Sequence, residues 1–309
     1  MDRRGFLGAA GASLLAAGLA GASERRAAAI PEFICGERPA GGLRPVALGA
    51  ADGPLVIAGT RLFKEGFFNE LLEIYNRAPG RDARMLGGGC DDGVTGVRLG
   101  TAHLGCLCCP VAGSPAEGMG SLQVAWDMKV VVAHPGVRAD GITTQQLRQV
   151  VTGRVRNWKA LGGPDRPIAL VVSDHCPDYV EPVRRDLMAN RQDWSAQALV
   201  VKTDQKQLET TARFEHAIGV NSWIIAEPFV RNGQLKVLEV DGVAPTLANV
   251  ADGRYRLAGP MNVIYRQWSQ ETMAPFFDLL YSEAGRRILS RHVVPVAMEK
   301  AGYPPRRRA

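Results

Sequence analysis

Three of the six cysteines in this 309-residue chain fall in one short run, Gly105-Cys106-Leu107-Cys108-Cys109-Pro110. Two more stand at similar punctuation points: Cys90 closes Gly87-Gly88-Gly89-Cys90, and Cys176 lies in Ser173-Asp174-His175-Cys176-Pro177-Asp178. Thiolates are soft donors that suit Cu(I), Zn(II) or a thiophilic metalloid, so thiols clustered at loop positions point to ligand chemistry, with a disulfide as the alternative. The local spacing Cys106-x-Cys108-Cys109 is a poor zinc knuckle, because structural zinc takes four ligands, often at CxxC spacing. Three thiolates arranged as a pyramid instead match trivalent arsenic or antimony. Phosphate needs hydrogen-bond donors and gains nothing from anionic sulfur.

The surrounding pattern places these thiols where strands give way to loops, the usual ligand position of an open α/β sheet. Pro54-Leu55-Val56-Ile57-Ala58-Gly59 reads as a short apolar strand, and Phe67, Phe68, Leu71, Leu72, Ile74 and Tyr75 recur at helical spacing after Thr60-Arg61. The unit repeats as a strand at 83–86, a loop ending at Cys90 and a helix at 93–99, then a buried strand leading into the cysteine run. A long β-prone run from Leu122 to Pro135 follows, then a helix capped near Thr143 and a strand from Ile168 to Val172. Helix N-termini facing such loops favour anionic ligands, although every βα unit offers one.

The N-terminus, Asp2-Arg3-Arg4-Gly5-Phe6-Leu7-Gly8 followed by an Ala/Gly-rich apolar stretch, reads as a twin-arginine export signal over residues 1–29. Residues 30–53 then form an aperiodic leader containing Cys35. A periplasmic protein is expected. The composition, 46% hydrophobic with a formal charge of +6, supports a sizeable core. The basic tail Arg306-Arg307-Arg308 lacks interleaved aromatics, so no nucleic-acid partner is expected, and a monomer is. Metal-hydrolase, P-loop and dinucleotide motifs are absent, and adjacent His175 and Cys176 make a poor nucleophile–base pair, so the chain reads as a non-enzyme.

From Leu55 to about Ala301 the chain resembles the phosphate-type periplasmic solute-binding proteins of ABC uptake systems. The landmarks are Val124-Ala125-Trp126-Asp127 with Val131-Val132-Ala133-His134-Pro135, then Asn157-Trp158-Lys159-Ala160-Leu161-Gly162-Gly163-Pro164-Asp165, Ala217-Ile218-Gly219 and Val240-Asp241-Gly242-Val243-Ala244-Pro245-Thr246. The resemblance implies an α/β, two-lobed periplasmic binding protein of type 2 with its ligand in the inter-lobe cleft. Lobe 1 is expected at 54–128 and 255–303, and lobe 2 at 129–254.

Against the family pattern, Cys90 and Cys176 stand at loop serines and Cys108 at an acidic position. The implied ligand set is therefore Cys90, Cys108 and Cys176, with Thr60 and Arg61 of the first ligand loop as second-sphere donors. Cys109 reads as a fourth ligand, a resolving thiol or filler, and His175 as a thiolate partner or a turn cap. Cys106 has the parity of a core-facing strand residue. His103 and His134 read as structural. No resident cofactor is expected. The expected cargo is arsenite or antimonite, with Cu(I) or Zn(II) as alternatives. By analogy with arsenite-sensing binding proteins, the expected partner is a membrane histidine kinase sensor domain; the alternative is an ABC permease, with phosphate or a related oxyanion as ligand.

Overall fold

The computed structural model describes residues 53–173, 182–189 and 194–301. The expectations for the export signal, the leader, Cys35, His175 and Cys176 lie outside the described residues. The architecture is mixed α/β, and one path of eight paired strands runs through it.

The first half of that path is built on β1 (Leu55–Thr60), whose six residues are all buried. It runs parallel to β2 (Ala83–Gly88) on one side and β3 (Leu104–Leu107) on the other. Between β1 and β2 the chain forms one continuous helical segment: α1 (Arg61–Phe63), a π-helical turn (Lys64–Phe68) and α2 (Asn69–Arg77). Its apolar positions bury a cluster of tilted and edge-on rings in which Phe63, Phe67 and Phe68 meet one another and Phe68 and Tyr75 meet Phe276. Helix α3 (Cys90–Leu99) connects β2 to β3. It begins three residues earlier than its apolar periodicity predicts, because Asp92 caps it: the Asp92 carboxylate accepts from the Gly89 N–H at 2.7 Å.

Strand β4 (Gly120–Ala133) is the long run anticipated from sequence, and its 14 residues serve both parts of the sheet. Residues Gly120 to Met128 pair with β10 (Ala258–Tyr265), whereas Lys129 to Ala133 pair with β8 (Ala217–Ser222). On the other side β4 also meets β9 (Lys236–Val240) and β11 (Val294–Pro295), and β5 (Gly141–Ile142) extends β9. Strand β6 (Ala169–Ser173) and the edge strand β7 (Leu199–Val201) complete the path beyond β8. The return passage lies against the outgoing one: the Tyr255 hydroxyl donates to the Lys129 carbonyl at 2.8 Å, and the Lys129 N–H donates to Leu257 at 2.9 Å.

The remaining helices are α4 (Thr144–Val151), α5 (Pro182–Met188), α6 (Asp204–Arg213), α7 (Trp223–Arg231), α8 (Leu247–Ala251), α9 (Ala274–Tyr281) and α10 (Glu283–Leu289). Helix α4 carries the cap read from Thr143, whose hydroxyl accepts from the Gln146 N–H while Gln146 reaches back to Thr143. Trp158 is buried and donates its indole N–H to the His216 carbonyl at 3.0 Å. Trp126, by contrast, is 39% exposed, so it does not pack into the interior beside Asp127. No helix among the described residues is long and apolar enough to cross a membrane.

Candidate functional site

The thiol cluster is assembled by close backbone approach. Gly93, in the first turn of α3, lies over β3: a β-carbon there would stand 3.0 Å from the Cys106 nitrogen and 3.1 Å from its carbonyl oxygen. Gly105 faces it in return, where a β-carbon would come within 2.6 Å of the Gly93 carbonyl oxygen. Gly59, next to last in β1, has φ +128°, a backbone conformation that L side chains rarely adopt, with no room for a side chain against Cys106. These contacts hold the start of α3 on the end of β3. Cys90, the first residue of α3, thereby meets the turn that follows β3.

The result is a trio of buried thiols. The Sγ atoms of Cys90 and Cys108 are 3.7 Å apart, and those of Cys90, Cys108 and Cys109 all lie within 4.8 Å of one another. Asn262, at the point where the β10–β4 register shifts, donates from its side-chain amide to the Cys109 carbonyl at 2.8 Å. Cys106 points into the core, as its strand parity predicts. It is 0% exposed, and burial pushes its thiol well above the ordinary range, which makes it a packing residue.

Cys108 and Cys109 form part of the wall of a cavity that also takes Thr60, Arg61 and Lys129 from the same side. Ser173, Arg184, Asp204, Asn221 and Ser222 line it from β6, α5, α6 and the end of β8. Three helices begin at its edge. Thr60 caps α1, Thr203 caps α6 and Ser222 caps α7, their hydroxyls accepting from the Leu62, Lys206 and Ile224 N–H groups. Three cationic side chains face the same space. Arg61 lies 3.7 Å from Glu65, Lys129 is 2.8 Å from Asp127, and Arg184 is buried.

Beneath Lys129, the fully buried Asp127 accepts from the Ser222 hydroxyl at 2.8 Å. Burial raises its carboxyl above the usual range; Lys129 and Ser222 oppose that rise, and Cys108 adds to it. On the opposite wall Asp204 accepts from the Ser173 hydroxyl at 2.9 Å, and Asn221 donates to Gln207 and to the Asp204 carbonyl. The cavity therefore combines cations, hydroxyls and helix N-termini suited to an inorganic anion with two thiols on one wall.

Of the residues singled out in the sequence, the structure brings together Cys90, Cys108 and Cys109, with Thr60 and Arg61 on the same cavity. His103 and His134 sit apart from it in structural roles. The His103 Nδ1 accepts from the Val56 N–H at 3.0 Å, and the His134 Nδ1 from the Gly136 N–H at 2.9 Å. Sequence reasoning missed Lys129, Arg184, Asp204, Asn221 and Ser222. Ser222 and Asp204 had a signal, since a hydroxyl residue directly before a helix marks an N-terminus: Ser222 caps α7, and Thr203 stands directly before Asp204. Arg184 had none.

A PBP superfamily domain model matches residues 45–284, and the chain belongs to that family of periplasmic-binding-protein-like chains. The phosphate-binding protein PstS of Borreliella burgdorferi is 23% identical over 181 residues, which cover 56% of this chain and 64% of that protein, just under two thirds of its length. PstS of Bacillus subtilis is 26% identical over 253 residues, covering 80% of this chain and 78% of that one. Among solved structures, a Clostridium perfringens substrate-binding protein of the phosphate ABC transporter type, with phosphate bound, superposes with a TM-score of 0.68 at 20% identity. It covers 79% of this chain and 100% of its own. At that identity the likeness carries the two-lobed fold and not the ligand.

Proposed function

We propose that this is an exported solute-binding protein that takes a small inorganic oxyanion of the phosphate class in the cavity and presents it to an ABC permease. The observation that carries this reading is the convergence of Arg61, Lys129 and Arg184 with the capped starts of α1, α6 and α7 on one space. A helix N-terminus and a guanidinium both favour an oxyanion, and several together supply more donors than a neutral solute can use. The relatives named for phosphate binding support the same class. The sequence-based objection, that phosphate gains nothing from anionic sulfur, is met by the rest of the wall: Cys108 and Cys109 share it with Arg61, Lys129, Arg184 and the hydroxyls of Thr60, Ser173 and Ser222, which supply the donors that phosphate needs. Equilibrium dialysis of the reduced mature chain against phosphate, in competition with arsenate, sulfate and arsenite, tests the reading. Retention of phosphate that arsenate displaces supports it, and retention of arsenite alone refutes it.

A second reading is favoured by the thiol trio itself. Sulfurs of Cys90, Cys108 and Cys109 within 4.8 Å of one another form a set that one trivalent arsenite- or antimonite-derived ion could bind by exchanging its hydroxyls for thiolates. In this reading Cys109 supplies the third sulfur on the same side of the cavity. Cu(I) or Zn(II) becomes a competing cargo. A metalloid sensor of this kind would report to the sensor domain of a membrane kinase. X-ray absorption of the arsenite-treated protein separates the two readings, since this one requires a sulfur-only shell.

A further inference from the structure

We propose that Cys90 and Cys108 form a redox-active dithiol: a hydroperoxide reaching the cavity oxidises Cys108, and Cys90 resolves the product to an intramolecular disulfide. The inference rests on the thiol geometry and is independent of which ligand the cavity carries. Four of the described cysteines are thiols, and their positions divide the labour. Cys108 lines the cavity and is 6% exposed, whereas Cys90 lies behind it at 1% and is absent from the lining. The oxidant therefore meets Cys108 first.

The pairing follows from distance and chain geometry. The Cys90 and Cys108 sulfurs need to close from 3.7 Å to about 2.0 Å to make a disulfide, a movement within reach of side-chain rotation. They come from different elements, the start of α3 and the turn after β3. Cys109 neighbours Cys108 in sequence, where a disulfide demands strained geometry. Cys106 is locked in the core with its thiol proton held by burial.

The chemistry balances in two steps. The Cys108 thiolate attacks the terminal peroxide oxygen, the O–O bond breaks, Cys108 becomes a sulfenic acid, and the leaving hydroxide or alkoxide takes up the proton that Cys108 gave up on ionising, departing as water or an alcohol. The Cys90 thiolate then attacks the Cys108 sulfur, the S–S bond forms, the S–O bond breaks, and the departing hydroxide takes the proton released from Cys90. Two thiols lose two electrons, and one peroxide gains them. Cys109 remains a thiol. The oxidised protein can no longer offer three thiolates, while the cationic residues of the cavity keep their places.

The test is disulfide mapping of the reduced full chain after exposure to hydrogen peroxide, quenching with an alkylating agent and digestion. The expected result is a Cys90–Cys108 linked peptide and a fall in titratable thiols from six to four, reversed by dithiothreitol. In Cys90→Ser, Cys108 should accumulate as a sulfenic acid trapped by dimedone. Linkage of Cys108 to Cys109, Cys176 or any other cysteine, or no thiol loss, would overturn the proposal. The wild-type map decides the pairing even if Cys90→Ser fails to fold. An arsenite titration of reduced protein runs alongside it. Failure to bind arsenite removes the metalloid reading and leaves the disulfide result standing.

Discussion

The side-chain amide of Asn262 donates to the backbone carbonyl of Cys109 at 2.8 Å, and both groups are buried. This bond ties the thiol-bearing turn after β3 to the strand that joins it to β4. Asn262→Ala leaves a buried carbonyl without that donor, which costs about 1–3 kcal/mol. Urea denaturation should show that loss as a lower midpoint with an unchanged slope. The turn would also loosen, so the rate of Cys108 alkylation in the native protein should rise.

A glycine pair sets how closely α3 sits on β3. Gly93→Val requires the helix to lift from Cys106, since even a β-carbon already stands 3.0 Å from its backbone nitrogen. Overpacking of this kind costs about 1–3 kcal/mol. Because the lift carries Cys90 away from Cys108, the variant should fold with lower stability and lose peroxide-driven disulfide formation. Gly80→Ala, at an open position of φ +70°, should leave disulfide formation intact.

His103 supplies a pH dependence. Its Nδ1 accepts the Val56 N–H, which only an imidazole unprotonated at that atom can do, and burial holds its pKa below the usual value. The unfolded chain therefore binds a proton that the folded chain resists. Stability is complete above about pH 6.5 and falls as the pH drops from there through the folded value. Thermal melts across this range should show the decline, and His103→Gln should flatten it. Wild-type melting that rises on acidification through the same window would contradict this role.

The scaffold was legible where periodicity and caps act locally. The apolar run Leu55 to Ala58, the Phe67-to-Tyr75 face, the Thr143 cap and the long strand through Trp126 to Ala133 all read correctly, because each depends on neighbours a few residues away. Cys106 was also legible, since strand parity alone turns it inward. The start of α3 was not: Asp92 reaches back to Gly89 and draws Cys90 into the helix. Trp126 lies 39% exposed, since it occupies the outward parity of β4 next to β11.

The cavity was the least legible part. Lys129 gains its role by standing where β4 changes partners from β10 to β8, and Arg184 by the placement of α5, neither of which leaves a local mark. The three-dimensional arrangement also shifted the weight of the chemistry. Thiols alone suggested a soft ion, whereas in the fold they share a cavity with cations and helix starts.

Phosphate titration by calorimetry, comparing wild type with Arg184→Gln and Cys108→Ser, tests the proposed oxyanion site most directly. Arg184→Gln removes a charged donor worth about 1.5–3 kcal/mol, so affinity should fall by about 10- to 100-fold. Cys108→Ser should bind phosphate within a few-fold of wild type, because the hydroxyl that replaces the sulfur keeps a donor in the wall. A wild-type protein that gives no heat with phosphate or arsenate but binds arsenite, with that binding lost in Cys108→Ser and kept in Arg184→Gln, would contradict the oxyanion site and leave the thiol trio as the ligand site.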